Sequence, residues 1–228
     1  MLCLIYHAIG TLNDDHFRYS IESLKNQDID YDLVLYNHSG LPDGYFYQYF
    51  DSLKPYKILN RKNEIKGAIA DWKEQFERIE GYKYYFVHKA DFYLAEGCLK
   101  RFTEVVFDNE PLLVGVKKFD CRETTKINAI REMAKLGSWE QAKTFGENSY
   151  SPEDKPKWDG VMHGYNDSAR GHFQPTKDEL ERRFGECTAF KNMGVQKITD
   201  DKIYAMHMFH ELPPEEREDK KNQKGARY

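Results

Sequence analysis

A chain of 228 residues with 40% hydrophobic and 14% aromatic content carries enough apolar side chain for one large core and is too rich in both to be a disordered segment. Its 34 basic and 38 acidic residues leave a net charge of −4, which excludes a global field for gathering polyanions, although Lys117-Lys118 and Arg182-Arg183 are local basic pairs. Nothing approaches the ~20 consecutive apolar residues of a spanning helix. The opening Met1-Leu2-Cys3-Leu4-Ile5-Tyr6 has no basic leader, and Cys3, Cys98, Cys121 and Cys187 form no C-x-x-C pair. A single-domain cytoplasmic protein with reduced thiols is expected.

In chain order, Leu2 to Tyr6 reads as a buried strand. Asp14 and Asp15 supply cap chemistry for a helix whose Phe17, Ile21 and Leu24 share one face. Leu33 to Tyr36 is a second strand, closed by the turn-forming Asn37-His38-Ser39-Gly40, and Tyr56 to Leu59 is a third. Between them Tyr45, Phe46, Tyr47, Tyr49 and Phe50 are most simply packing residues. Ile65, Ile69, Trp72, Phe76 and Ile79 then recur at helical spacing, ahead of a deeply buried strand Tyr84-Tyr85-Phe86-Val87. A helix over 98–107 and a strand over 112–116 follow. This alternation predicts an α/β domain with a mostly parallel central sheet flanked by helices. Such sheets bind ligands beyond the carboxyl ends of their strands, which puts the segments after Tyr6, Tyr36 and Val87 on one rim.

The second half is less regular. It predicts a helix over 124–143, an irregular span over 150–174 rich in Pro, Gly, Asp and His, a short helix over 177–184, and one or two strands between Cys187 and Phe209. The stretch 213–228 is polar and reads as a tail or flap.

Several stretches of the first half carry a shared pattern. The first strand leads to a helix ending Ser23-Leu24-Lys25-Asn26-Gln27; the second leads to Asn37-His38-Ser39-Gly40; Asn63 through Lys66-Gly67-Ala68-Ile69-Ala70-Asp71 opens a helix; and Tyr84 to Val87 runs into His88-Lys89-Ala90-Asp91-Phe92-Tyr93-Leu94. In order and spacing, over residues 1–107, these resemble the nucleotide-binding half of family 2 glycosyltransferases, which have the Rossmann-like GT-A fold. The resemblance implies one GT-A-like domain over 1–212, made of a nucleotide-sugar-binding half (1–107) and an irregular acceptor-side half (108–212). It implies a nucleoside-diphosphate sugar as donor, contacted by His7, Asn37, Ser39, Lys66, Lys89 and Asp91. Lys89 stands where that family's D-x-D motif has its first acid and offers only donors; Asp91 matches the second, metal-ligating acid. Ala205-Met206-His207-Met208-Phe209-His210 with Glu218-Asp219-Lys220-Lys221-Asn222 shows a looser resemblance to the closing segment of β-1,4-galactosyltransferases, where a histidine completes the metal site.

Breaking a sugar–phosphate bond builds negative charge on the departing diphosphate, which a divalent cation stabilises as a Lewis acid. The resemblances therefore imply Mn²⁺ or Mg²⁺ held by Asp91 with His207 or His210. An inverting transfer needs a carboxylate to take the acceptor proton, and Asp178 and Glu179 are the candidates, with Asp159 and Asp167 behind them. Each residue has a plainer reading. Asp91 suits a helix cap, Asn37 and Ser39 suit a self-bonded turn, His207 and His210 suit a core, and Asp178 and Glu179 suit the dipole at a helix start. The acceptor class spans carbohydrate, lipid-linked sugar, protein and modified nucleic-acid base. The rivals are a catalytically inactive sugar-nucleotide-binding module and a nucleotidyltransferase; the latter lacks support, since Ala8-Ile9-Gly10-Thr11 is no glycine-rich phosphate loop.

Overall fold

The computed structural model describes residues 1–8, 14–53, 56–62, 67–109, 113–116, 118–121, 162–181, 195–197, 202 and 204–208. The expected helix over 124–143 with Trp139, the stretch carrying Trp158 and Asp159, and the polar tail lie outside them.

β1 (Leu2–Ala8) is buried at every position, as an unbroken apolar run at the middle of a parallel sheet must be. It pairs in parallel with β2 (Asp32–Asn37) on one side and β4 (Tyr84–Lys89) on the other, and β3 (Tyr56–Asn60) extends the sheet in parallel beyond β2. The helices α1 (Asp14–Lys25), α2 (Asp43–Phe50) and α3 (Ala68–Arg78) make the intervening connections. After β4 come β5 (Phe92–Leu94), α4 (Cys98–Asn109), β6 (Leu113–Val116), β7 (Lys118–Cys121), β8 (Met162–Asn166), a 3-10 turn (Asp167–His172), α5 (Lys177–Glu181), β9 (Val195–Lys197) and β10 (Ala205–Met208). Among the described residues, seven strands form the main sheet in the order β3-β2-β1-β4-β8-β6-β9, while β5-β10-β7 form a small second sheet.

Side-chain alternation along β1 sorts the core into two layers. Leu2, Leu4 and Tyr6 face α1, α2 and α4, packing with Phe17, Ile21, Leu24, Phe46, Phe50 and Phe102. Cys3 and Ile5 face α3, packing with Tyr36, Ile69, Trp72, Phe76 and Tyr85. The periodicities read from the sequence for α1 and α3 are these two faces; α3 begins at Ala68, and Ile65 lies outside the described residues. The Ser-Leu-x-x-Gln run has a structural reason. Leu24 enters the core, while Gln27 donates to Ala95 O at 3.0 Å and accepts from Leu99 N at 3.1 Å, tying the end of α1 to the start of α4.

Two features depart from the expected pattern. The span 150–174 is expected to be irregular, yet residues 162–166 are a central strand, antiparallel to both β4 and β6. Met-His-Gly-Tyr-Asn has little strand propensity of its own; its neighbours impose the conformation. Tyr165 stacks on Tyr85 with centroids 4.7 Å apart, and Gly164 admits the buried ring of Phe102, which fills the space a Cβ would take. The turn that follows is locked from a distance. Arg170 donates to the carbonyls of Phe76 and Ile79 at the end of α3, to Tyr85 Oη at 2.7 Å and to Asp167 Oδ1 at 2.6 Å. Asp167, a reserve candidate for a base, thus sits beside Lys83 and Tyr85 at the amino end of β4, away from Lys89. The second departure is the small sheet itself, whose three-residue β5 is too short to show a period.

Gly164→Ala is expected to cost about 1–3 kcal/mol by overpacking, read as a lower urea midpoint, and Phe102→Leu in the same chain is expected to recover part of it. An unchanged midpoint in Gly164→Ala contradicts the close approach.

Candidate functional site

Parallel pairing sets His7, Tyr36 and Lys89 side by side, since His7 is in register with Tyr36 of β2 and with Lys89 of β4. The carboxyl ends of the first, second and fourth strands therefore share one rim. His7, Tyr36 and Lys89 continue the face that α3 covers, and His88 falls on the opposite face, where Ser20 Oγ lies 2.7 Å from its Nε2.

Next to β1, the rings of His7 and His38 meet edge to face at 5.4 Å, and Tyr36 lies beside both at 5.4 and 5.9 Å. Burial pushes the His7 imidazole down to a pKa of about 3, with His38 and Lys89 adding to the fall and Gln75 and Asp71 opposing it. His7 is therefore neutral at any ordinary pH. Behind His38, Arg61 and Asp71 form a two-pronged pair, Nε to Oδ1 at 2.7 Å and Nη2 to Oδ2 at 2.6 Å. The guanidinium also reaches His38 Nδ1 at 3.2 Å. Arg61 is held in place because its own backbone N–H donates to Asn37 O at 2.8 Å, joining the ends of β2 and β3.

Asn37 spends its side chain inside the following loop. Its Nδ2 donates to Leu41 O at 2.8 Å and Asn60 Oδ1 at 2.7 Å, and its Oδ1 accepts from Ser39 N at 3.1 Å and Ser39 Oγ at 2.7 Å. Two donated and two accepted bonds exhaust an amide. Ser39 Oγ in turn accepts from Leu41 N at 3.0 Å, and Gly40 makes the turn with φ of 80°. Both residues are thus committed to loop shape.

At the end of β4 the chain reverses through Ala90-Asp91 into β5. Ala90 N donates to His7 O at 3.1 Å, and Asp91 O accepts from Met208 N at 2.7 Å. That second bond aligns β10, and it brings His207 Nε2 to 3.1 Å from Asp91 Oδ2. Asp91 is 5% exposed, and the His207 ring packs on Phe92 at 5.0 Å. A carboxylate oxygen and an imidazole nitrogen are chemically suited to Mg²⁺ or Mn²⁺. As a two-ligand set they require further oxygens from substrate and water; among the described residues no group of three His, Cys, Asp or Glu side chains has metal-binding geometry. Lys66 and His210 lie outside the described residues.

Asp178 and Glu179 lie on α5, which packs on α3. Glu179 is 4% exposed and accepts from Thr176 N at 2.8 Å and Thr176 Oγ at 3.2 Å, while Glu179 N donates back to Thr176 Oγ at 3.3 Å. This is a capping box, in which two otherwise orphaned donors are satisfied reciprocally. Asp178 is exposed. Of the named candidates the structure therefore joins His7 to Lys89 across β1 and β4, and Asp91 to His207 across the two sheets. His38, Arg61 and Asp71 were not singled out from sequence as site residues. His38 and Asp71 sit inside the quoted motifs, whereas Arg61 carries no local signal.

No protein-family model and no curated protein matches the sequence. Solved structures do match. Residues 1–349 of S. aureus TarS in complex with UDP-GlcNAc superpose with a TM-score of 0.61 at 10% identity, covering 93% of this chain and 59% of that one. The same TarS fragment with UDP gives a TM-score of 0.59 at 10% identity over 91% of this chain and 60% of that one. Full TarS gives 0.59 at 11% identity, covering 91% of this chain and 36% of that one. The chain thus spans about 60% of the length of the TarS fragments it matches.

Burial alone would raise the Asp71 carboxyl, but His38 and Arg61 outweigh it and hold its pKa below the ordinary carboxylate value. Because the folded pKa is depressed, this stability is present above the unfolded pKa of about 3.9 and is lost as pH falls through the folded value. Arg61→Ala leaves the buried carboxylate without its main partner and is expected to cost about 3–5 kcal/mol at neutral pH. It should also move acid unfolding to higher pH; an acid midpoint equal to the parent's contradicts the assignment. The parallel rim, the antiparallel β8 and the TarS superposition lead to one conclusion, that this chain has the GT-A-like fold anticipated from its sequence.

Proposed function

We propose that the protein is a glycosyltransferase that binds a nucleoside-diphosphate sugar across the carboxyl rim of β1, β2 and β4 and transfers the sugar to a hydroxyl acceptor. The observation that carries this reading is the juxtaposition of Asp91 and His207 at 3.1 Å, two residues beyond Lys89 at the strand end. The TarS structures with UDP and UDP-GlcNAc support it, being complexes of the same fold with such a donor and its product nucleotide.

In this reading the nucleoside lies toward His7 and Tyr36, and the diphosphate lies between Lys89 and the Asp91–His207 pair. The Lys89 ammonium offsets phosphate charge where a second carboxylate would have repelled it. Asp91 and His207 would hold Mn²⁺ or Mg²⁺, whose Lewis acidity eases departure of the diphosphate. With one protein carboxylate in the set, affinity for the ion depends on nucleotide oxygens. For the base we assign Asp178 over Glu179, because the Glu179 carboxylate is committed to Thr176 while that of Asp178 is exposed. A general base of this kind implies inversion at the sugar carbon. The second reading, an inactive binding module, draws on the same Lys89 and keeps binding without transfer.

Calorimetry is expected to show negligible Mn²⁺ uptake by the protein alone, clear uptake with UDP present, and loss of that synergy in Asp91→Asn and His207→Ala. Equal Mn²⁺ binding with and without nucleotide contradicts the two-ligand assignment. Asp178→Asn is expected to lower sugar transfer by about 10²- to 10⁴-fold with UDP affinity retained. Glu179→Ala should instead weaken the helix cap, by about 0.5–2 kcal/mol, while Glu179→Gln keeps it. Transfer at the parent rate in Asp178→Asn removes that residue as the base.

A further inference from the structure

The layer between α1 and the ends of β1 and β4 holds polar groups that its apolar surroundings do not call for. On this face β1 presents Leu2, Leu4 and then Tyr6, and β4 presents Tyr84, Phe86 and then His88. Tyr6 is in register with His88, their rings lie 5.2 Å apart, and both are completely buried. Ser20, equally buried, brings its Oγ to 2.7 Å from His88 Nε2 and faces the Tyr6 hydroxyl without a bond of normal geometry. Among the described residues, Tyr6 Oη and His88 Nδ1 have no hydrogen-bond partner. Burial pushes the His88 imidazole down to a pKa of about 3, with Asp91 opposing the fall and His7 adding to it. The ring is therefore neutral and bonds through one donor and one acceptor nitrogen. A polar pair in such a layer gives little stability over an apolar pair of the same shape. What it supplies is direction, since apolar contact is non-directional and a hydrogen bond fixes a distance between two named atoms.

We propose that Ser20 and His88, with Tyr6 beside them, are positioning residues of the donor site: their bond fixes the end of β4 against α1 and so holds the turn Lys89-Ala90-Asp91 where Asp91 meets the ion. The proposal rests on the reading of Asp91 and His207 as ligands of the donor's divalent ion, and it names what sets the Asp91 carboxylate from behind. His88 stands three residues before Asp91 on the same strand end, and the Asp91 charge acts on both the His88 and the Tyr6 rings, which places the trio within its field. The next residue but one, Ala90, is bonded straight to His7 O, so a shift of β4 at His88 passes into the turn. Asp91 and His207 lie 3.1 Å apart, and the described residues bring no third His, Cys, Asp or Glu to them. A two-ligand set has nothing to compensate a carboxylate displaced by about 1 Å from the diphosphate, and the groups that orient a ligand then govern affinity for the ion.

Calorimetry of Mn²⁺ with UDP present, alongside uridine binding and a urea midpoint, separates positioning from core packing. Ser20→Ala combined with His88→Leu removes both polar partners together, so the urea midpoint is expected at or above the parent's. Mn²⁺ affinity in the UDP complex is nevertheless expected to fall about 10- to 100-fold, the usual effect of removing a group that orients a metal ligand. Uridine, which draws on the β1 and β2 part of the rim, should bind variant and parent equally. His88→Gln, whose amide can bond Ser20 Oγ in place of Nε2, should restore most of the Mn²⁺ affinity. Should the double variant fold poorly, Ser20→Ala alone decides the matter, because it takes a single oxygen from the core. Assayed at a temperature where circular dichroism shows it folded, it should show the same fall in Mn²⁺ affinity. Mn²⁺ affinity at the parent's value in a folded variant, a glutamine variant as weak as the double variant, or uridine and Mn²⁺ binding lost together overturns the proposal and leaves the donor reading standing. A parent chain that takes up no Mn²⁺ in the presence of UDP overturns both.

Discussion

The structure depends on the dipeptide Ala90-Asp91, whose backbone is bonded into two sheets at once. Ala90 N closes onto His7 O and so continues the ladder between β1 and β4. One residue later Asp91 O accepts from Met208 N, which starts the register of β10 against β5. A chain pinned on both sides of one peptide unit has little freedom to re-aim the side chain between. Asp91 is fixed at the mouth of the main sheet, and His207, the third residue of β10, has to arrive beside it. From the other side α1 braces the same region. Ser20 touches His88, Tyr93 Oη donates to Glu22 at 3.3 Å, and Gln27 bridges Ala95 and Leu99.

Electrostatics on the α3 side follow from a different constraint. Asp71 and Glu74 lie on a buried helix face, and burying carboxylates is unfavourable unless each finds a charged partner. Arg61 serves Asp71, and Arg78 serves Glu74, which also accepts Lys62 N at 2.9 Å. These pairs neutralise one another, so the ground behind His7 and His38 carries little net charge. Lys89 lies on the far side of His7, next to the turn that carries Asp91. The rim thus divides into an aromatic and imidazole zone at β1 and β2, where burial keeps His7 neutral, and an ionic zone at β4 and β10.

Much of this arrangement was legible from local pattern. The apolar run of β1, the spacing of Phe17, Ile21 and Leu24, and that of Ile69, Trp72 and Phe76 reflect burial on defined faces, and burial leaves a period in sequence. The turn at Asn37-His38-Ser39-Gly40 was equally readable, because its bonds are made among neighbours. What escaped depends on partners far along the chain. β8 is a strand because β4 and β6 flank it and Phe102 needs the space over Gly164. Arg170 finds its carbonyls about ninety residues upstream, and Arg61 acquires meaning only through Asp71 and His38. Glu179 is the converse case: an acid at a helix start reads equally as chemistry or as helix-end electrostatics, and its bonds here are those of a cap.

The central claim is that the carboxyl rim, from His7 and Tyr36 to the Asp91–His207 pair, is a single donor site. Crystals grown with Mn²⁺ and UDP, measured at the manganese edge, test it most directly. The account predicts an anomalous peak in contact with Asp91 and His207, with the diphosphate toward Lys89 and the nucleoside toward His7 and Tyr36. A nucleotide bound at any other surface, or a manganese peak with neither Asp91 nor His207 as a ligand, contradicts it.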